Sequence, residues 1–128
     1  MSGRRSILVI DDDPAVARTF AGMLRLSGYD VLTALDAESG LRELSTAHPD
    51  AALIDLRMPM FDGVAFIRRL RAQEVEHQTP VAILTGDYAI GEAVTAELRA
   101  LNAHVYFKPL WLHELIQITQ RLLGDSRP

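Results

Sequence analysis

Four short polar segments hold the side chains that could do chemistry, and each follows an apolar run. Asp11-Asp12-Asp13 follows the run at 7–10, and Asp55 follows the run at 51–54. Thr85 follows the run at 81–84, and Lys108 follows the run at 105–107. Carboxylates are ligands that hard divalent cations prefer, and an aspartate can also act as a nucleophile toward phosphorus. A lysine and a hydroxyl can bind phosphoryl oxygens. These residue types therefore indicate a magnesium-dependent phosphoryl-transfer site, if the fold brings them together.

Each of these residues also has an ordinary structural interpretation. Aspartates at the end of a strand commonly cap the next loop through local hydrogen bonds. Thr85 could equally be a strand-end hydroxyl, and Lys108 could be a surface charge. The position of all four segments at the ends of alternating strands is a more specific signal than any one of them.

The elements that must position these residues follow from apolar runs and turn signals. Strands are predicted over 7–10, 30–33, 50–55, 81–84 and 105–107. Three helices begin after the N-cap candidates Asp13, Asp36 and Asp62, and two more span about 90–101 and 111–123. Strands that alternate with helices predict a parallel sheet covered on both faces. We expect an α/β, flavodoxin-like (βα)5 doubly wound sheet of order 2-1-3-4-5, with a binding crevice between the first and third strands.

Helical periodicity also predicts which side chains face the core. Three arginines of the third helix are expected to face water: Arg68, Arg69 and Arg71. Four apolar residues of the fifth helix are expected to point inward: Leu112, Leu115, Ile116 and Leu122. Trp111, at the start of that helix, is expected to pack against its own domain rather than a partner.

Composition limits the classes of protein. The 128 residues fit one domain, predicted over 6–123, with 124–128 as a tail or the start of a linker. The chain has no cysteine, which excludes disulfides and thiolate metal sites. The net charge of −4 gives no support to nucleic-acid binding by this segment. No apolar run is long enough to span a membrane, and we expect a cytoplasmic protein.

A parallel sheet of this order brings the carboxylates to one edge. Asp11, Asp12 and Asp55 should crowd around the crevice, where like charges destabilise one another unless they are neutralised. A divalent cation or the ammonium of Lys108 could neutralise them. Carboxylate oxygens more than about 10 Å apart would contradict a shared ion.

The motifs at these strand ends resemble those of CheY-like response-regulator receiver domains of two-component signalling. The matching segments are 7–14 (ILVIDDDP), 54–59 (IDLRMP) with Asp62-Gly63, 83–86 (ILTG) and 108–110 (KPL). The resemblance covers about residues 6–123. It implies that Asp55 accepts a phosphoryl group from a sensor histidine kinase or a phosphotransfer protein, which makes the chain a signalling domain rather than an enzyme. It also implies self-catalysed phosphorylation and dephosphorylation at this aspartate.

The resemblance further implies a set of site roles. Mg²⁺ would be ligated by Asp12, by Asp55 and by the backbone carbonyl of Arg57, with Asp11 acting mainly through water. Thr85 and Lys108 would hold the phosphoryl group, and the bond between Lys108 and Pro109 would be cis. Arg57 and Asp87 flank the site, and we hypothesise that they hinder attack by water; two solvated charges are the alternative.

Phosphorylation in this family shifts the face formed by the fourth helix, fifth strand and fifth helix. That face contacts an output domain or a partner protein, and a homodimer could form through it. Receiver domains commonly carry an aromatic residue three positions before the lysine, where this chain has Val105. We expect Val105 to pack as core and Tyr106 to lie on the opposite face of the strand.

Three other functions share parts of the pattern. A pseudo-receiver would bind proteins without being phosphorylated. A flavin mononucleotide carrier on the same fold is disfavoured because Asp11-Asp12-Asp13 would repel phosphate. A haloacid-dehalogenase-like phosphatase would need a second aspartate where this chain has Arg57.

Overall fold

The computed structural model describes residues 4–58, 60–74, 78–86, 90–108 and 111–124. Strands and helices alternate along the chain: β1 (Ser6–Ile10), α1 (Pro14–Leu26), β2 (Asp30–Ala34), α2 (Ala37–Thr46), β3 (Ala51–Asp55), α3 (Gly63–Gln73), β4 (Val81–Thr85), α4 (Glu92–Ala100), β5 (Ala103–Phe107) and α5 (Leu112–Leu122). The strands form one parallel sheet of order β2-β1-β3-β4-β5, so the predicted fold class and topology are confirmed.

The central strands are buried on both faces, and alternate side chains enter two separate apolar clusters. On one face Leu8 and Ile10 pack with Phe66 of α3 and Leu98 of α4. On the other face Ile7 and Val9 pack with the apolar side chains of α1 and α5. The sheet is thereby fixed between two helical layers, and its carboxyl edge is left open.

The three aspartates predicted as helix caps all serve as caps. Asp13 Oδ1 accepts the backbone N–H of Ala15 at 2.9 Å. Asp36 Oδ1 accepts the N–H of Ser39 at 2.7 Å, and Asp62 Oδ1 accepts that of Ala65. Each cap satisfies an N–H group that has no partner inside its helix. The caps fix where α1, α2 and α3 begin relative to the strands before them.

The alternation predicted for β5 is also confirmed. Val105 packs against the cluster that contains Ile10 and Phe66, whereas Tyr106 packs against the opposite cluster. Position 105 therefore contributes to the core, and the aromatic side chain lies on the other side of the sheet.

Three predictions about exposure are wrong. The side chain of Arg71 is only 8% exposed, because backbone carbonyls at the end of α4 and before β4 surround its guanidinium. Trp111 is 72% exposed and Leu112 is 47% exposed. Both lie at the very start of α5, before the helix has turned its apolar face onto the sheet.

None of the helices in the described part of the chain combines the length and the apolar character needed to cross a bilayer.

Candidate functional site

The register of β1 against β3 brings two carboxylates together. Ile10 pairs with Ile54, so Asp11 and Asp55 leave the sheet side by side at its carboxyl edge. One carboxylate oxygen from each of Asp11, Asp12 and Asp55 lies within 4.8 Å of the others. The three side chains therefore converge, far inside the limit of about 10 Å that a shared ion allows. Their role as ligands remains a prediction.

A cavity of about 270 Å³ opens over these carboxylates. Its walls come from the ends of β1, β3, β4 and β5 and from the start of α1. The lining residues are Asp11, Asp12, Asp13, Val16, Asp55, Arg57, Gly86 and Lys108. The cavity therefore includes every residue predicted for the site except Thr85.

Thr85 is not among the residues that line the cavity. It ends β4, pairs with Phe107 of β5 and is fully buried. Its backbone carbonyl accepts the N–H of Lys108 at 2.8 Å. The carbonyl of Thr85 thus anchors the backbone of the lysine at the end of β4.

Lys108 carries the ammonium that faces the carboxylates. Its Nζ lies 3.5 Å from Asp11 Oδ2 and 3.7 Å from Asp55 Oδ2, and its side chain is 24% exposed. At an effective dielectric constant of about 20, each contact contributes about 4–5 kcal/mol of attraction before desolvation. Three carboxylates and one ammonium leave two negative charges uncompensated, which is the charge that one divalent cation neutralises.

Asp11 is the most buried acid of the site. Its side chain is 3% exposed, and its Oδ1 accepts the backbone N–H of Asp13 at 2.9 Å. Burial raises the pKa of Asp11, and the charge of Asp55 raises it further. The hydrogen bond from Asp13 and the ammonium of Lys108 act in the opposite direction. The site therefore holds a carboxylate whose charge is costly until a cation is added.

The donor set fits Mg²⁺. Oxygens bound directly to one Mg²⁺ lie at most about 4.2 Å apart, because each lies about 2.1 Å from the ion. The observed limit of 4.8 Å needs a small closure, or a water in place of one carboxylate. Asp12 is exposed and can supply that closure, whereas Asp11 is held by its bond to Asp13.

Asp55 divides its two oxygens between different neighbours. Oδ1 accepts the backbone N–H of Arg57 at 3.0 Å, and Oδ2 faces Lys108. The Arg57 side chain extends toward β4, since a Cβ added to Gly86 would lie 3.7 Å from Arg57 Nη1. Asp87 and Pro109 lie outside the described residues, and so do the predictions made for them.

Comparison with known proteins identifies the family. The sequence-family model of the response regulator receiver domain matches residues 7–120, nearly the whole chain. The chain belongs to this receiver domain family.

Relatives of known sequence agree with that assignment. The chain is 37% identical over 117 residues to the transcriptional regulatory protein PrrA of Mycobacterium leprae, covering 91% of this chain and 49% of PrrA. It is 33% identical over 123 residues to the regulatory protein AtoC of Escherichia coli, covering 96% of this chain and 26% of AtoC. This receiver domain thus spans half or less of the length of these two relatives.

Solved structures agree as well. The chemotaxis protein CheY4 of Vibrio cholerae superposes with a TM-score of 0.84 at 27% identity, over 94% of this chain and 100% of that one. The similarity of the receiver fold therefore extends over the full length of a CheY protein.

One contact of Lys108 in this receiver domain was not predicted from the sequence. The ring of Phe20, an apolar residue of α1, lies beneath the ammonium of Lys108. The available signal was its spacing of four residues from Val16, which places both on the same face of α1.

Proposed function

We propose that this receiver domain is a phosphorylation-gated signalling switch in which Asp55 accepts a phosphoryl group from a sensor histidine kinase or a phosphotransfer protein. The observation that carries the proposal is the convergence of Asp11, Asp12 and Asp55 within 4.8 Å at the open edge of the sheet. Membership of the receiver family supports the same role.

Asp55 and Lys108 have different roles in the proposed phosphoryl transfer. A carboxylate oxygen of Asp55 forms a bond to phosphorus as the bond between phosphorus and the histidine nitrogen breaks, and the electron pair leaves with that nitrogen. Lys108, already 3.7 Å from Asp55 Oδ2, pairs with a phosphoryl oxygen. The product is an acyl phosphate on Asp55, whose other oxygen, Oδ1, keeps the hydrogen bond from the backbone N–H of Arg57.

The metal set proposed for Mg²⁺ consists of Asp12, Asp55 and the carbonyl of Arg57, with Asp11 acting mainly through water. Bound there, the ion supplies neutralisation of the charge on the phosphoryl oxygens. Phosphorylation adds about −1.5 to −2 charge at Asp55, which draws Thr85 and Lys108 toward it. The backbone N–H of Lys108 donates a hydrogen bond to the carbonyl of Thr85. A movement of one residue is therefore coupled to the other.

The proposed output surface is the face formed by α4, β5 and α5. Three large apolar side chains are exposed along β5 and at the start of α5: Phe107 at 41%, Trp111 at 72% and Leu112 at 47%. Lys108 lies in sequence between Phe107 and Trp111, which supports the proposal that a shift of the lysine reaches this surface. We propose that the surface contacts an output domain or a partner protein, or forms a homodimer, in the cytoplasm.

Phosphorylation by acetyl phosphate with Mg²⁺ tests the proposal. Wild type should gain a phosphoryl group on Phos-tag gels, and Asp55→Asn should gain none. Asp13→Asn is the matched control, because asparagine also caps helices and position 13 lines the same cavity. Phosphorylation of Asp55→Asn at the wild-type rate would contradict the assignment.

Addition of beryllofluoride with Mg²⁺ separates a switch from a pseudo-receiver. A switch should show shifts of amide resonances around Thr85 and along α4 and β5. A pseudo-receiver would give an unchanged spectrum, which would favour a binding module that functions without phosphorylation.

The lifetime of the phosphoryl group depends, we propose, on Arg57, which lines the cavity, and on Asp87, which follows Thr85 by two residues in the sequence. Arg57→Ala and Asp87→Ala should each speed autodephosphorylation, because attacking water gains access. Arg69→Ala removes an arginine on α3 that is also exposed but lies outside the cavity, and it serves as the control. Unchanged lifetimes in both site variants would exclude this role.

A further inference from the structure

We propose that Phe20 is a positioning residue for Lys108, whose ammonium it holds over the carboxylates by a cation–π contact. The proposal rests on the phosphoryl-binding role proposed for Lys108. It concerns the aromatic ring under the ammonium of Lys108, to which the roles assigned above give no function.

The geometry satisfies the requirements of a cation–π interaction. Lys108 Nζ lies 5.6 Å from the centroid of the Phe20 ring. Such contacts are favourable within about 6 Å of the centroid. The ammonium is therefore bounded by Asp11 and Asp55 on one side and by an aromatic ring on another.

Both partners are fixed by interactions elsewhere in the fold. The cap provided by Asp13 sets the start of α1, and Phe20 follows seven residues later on the face that also presents Val16 to the cavity. Phe20 is 8% exposed and packs in the cluster that includes Leu115 of α5. The lysine backbone is bonded to Thr85.

An aliphatic side chain would fill the same space but would not stabilise the charge of the ammonium. An ammonium that rests against apolar surface loses water without compensation. The face of an aromatic ring carries negative charge density and restores part of the lost interaction. Phe20 thus extends the core beneath the lysine while keeping its charge inside the site.

The expected size of the effect follows from the exposure of the lysine. Lys108 is 24% exposed, between the exposed and desolvated limits for cation–π contacts. A contact of about 1 kcal/mol corresponds to about a fivefold change in rate. Loss of the negative charge density on the face of the ring should therefore lower the rate of phosphorylation by acetyl phosphate by about fivefold.

Site-specific fluorination of Phe20 withdraws electron density from the face of the ring and leaves the shape of the ring nearly unchanged. Mono-, di- and trifluorophenylalanine at position 20 should lower the phosphorylation rate at saturating Mg²⁺ in successive steps. The same series at Phe66, a buried ring in the opposite cluster, is the matched control and should have no effect. A flat series at Phe20, or an equal decline at Phe66, would overturn the inference.

A spectroscopic measurement tests the contact independently of phosphorylation. The ε-methylene protons of Lys108 should show an upfield ring-current shift in wild type, and Phe20→Leu should abolish it. Absence of that shift in wild type would overturn the inference even if Asp55 is phosphorylated. Failure of wild type to be phosphorylated would instead contradict the proposed function, and the ring-current shift would still decide whether the contact exists.

Discussion

Replacement of Arg71 by methionine should strongly destabilise the domain, because the guanidinium joins three segments. Its Nε donates to the Leu101 carbonyl at 2.8 Å, and its Nη2 donates to the Asn102 carbonyl at 3.2 Å. Its Nη1 donates to Glu74 Oε1 at 2.9 Å and to the Thr79 carbonyl at 2.7 Å. The end of α3 is thereby tied to the turn before β5 and to the segment before β4.

The magnitude follows from burial. The side chains of Arg71 and Glu74 are 8% and 11% exposed. Removal of one partner of a buried ion pair costs about 3–5 kcal/mol, because the other charge is left uncompensated. Methionine keeps the volume but restores none of the hydrogen bonds. For a domain of this size, about 4 kcal/mol lowers the melting temperature by about 15 °C.

The same helix supplies a matched control. Arg69 also pairs with a glutamate, Glu38, but these side chains are 62% and 72% exposed. Exposed pairs contribute about 0–1 kcal/mol, so Arg69→Met should have little effect. Both variants make the same chemical change on α3 and differ in the burial of the ion pair.

Urea denaturation followed by far-UV circular dichroism measures the difference. Glu74→Gln in the Arg71→Met background removes the uncompensated charge and keeps an oxygen that can accept the N–H of Thr79. We expect it to recover about 1–2 kcal/mol. The reasoning is refuted if Arg71→Met costs no more than Arg69→Met.

Three further predictions concern stability. Gly40→Ala should destabilise by about 1–2 kcal/mol, because its Cβ would lie 2.5 Å from Cδ1 of the fully buried Ile10. A Cβ added at Gly22 in α1 would meet no atom within 4 Å, so Gly22→Ala should stabilise by about 0.5–1 kcal/mol. Urea midpoints that rise in both glycine variants, or fall in both, would contradict this difference. Burial raises the pKa of Asp11 above its ordinary value of 3.8, so the folded state binds this proton more tightly than the unfolded chain. The stability that this group contributes is lost as the pH rises through the raised value. The free energy of unfolding of Asp11→Asn should therefore increase relative to wild type as the pH rises from below 3.8 in Mg²⁺-free urea titrations, and a difference that does not vary with pH would argue against this cause. Met60 has a φ of +52° and is fully exposed, so Met60→Gly should raise stability by about 1 kcal/mol in thermal melts, and a lower melting temperature would disprove strain there.

Much of the fold could be predicted because its signals are local. Apolar runs identified the five strands, and Asp13, Asp36 and Asp62 were identified as caps because short polar side chains bond the next turn of backbone. Asn102, which follows α4, has a φ of +61°, a left-handed conformation that asparagine tolerates at helix ends. Each of these features depends on a few consecutive residues.

Predictions based on periodicity were less secure. Periodicity assigned Arg71 to the solvent face because it treats each helix as isolated. Whether an arginine is buried depends on which carbonyls another segment brings near it, and Leu101 and Thr79 are distant in sequence. Trp111 was predicted to pack against its own domain at the start of the fifth helix. It is the residue before α5 and is exposed.

The sequence by itself determined that acids, a hydroxyl and a lysine stand at the ends of four of the five strands of one parallel sheet, since strand propensity and helix caps are local properties. Only the tertiary structure decided how these groups share the cavity. It buried Thr85 completely, turned one oxygen of Asp55 toward Lys108, and laid the ring of Phe20 under the same ammonium. The physical reason is that charge interactions and burial depend on distances between segments far apart in the chain, and packing of the helices against the sheet sets those distances.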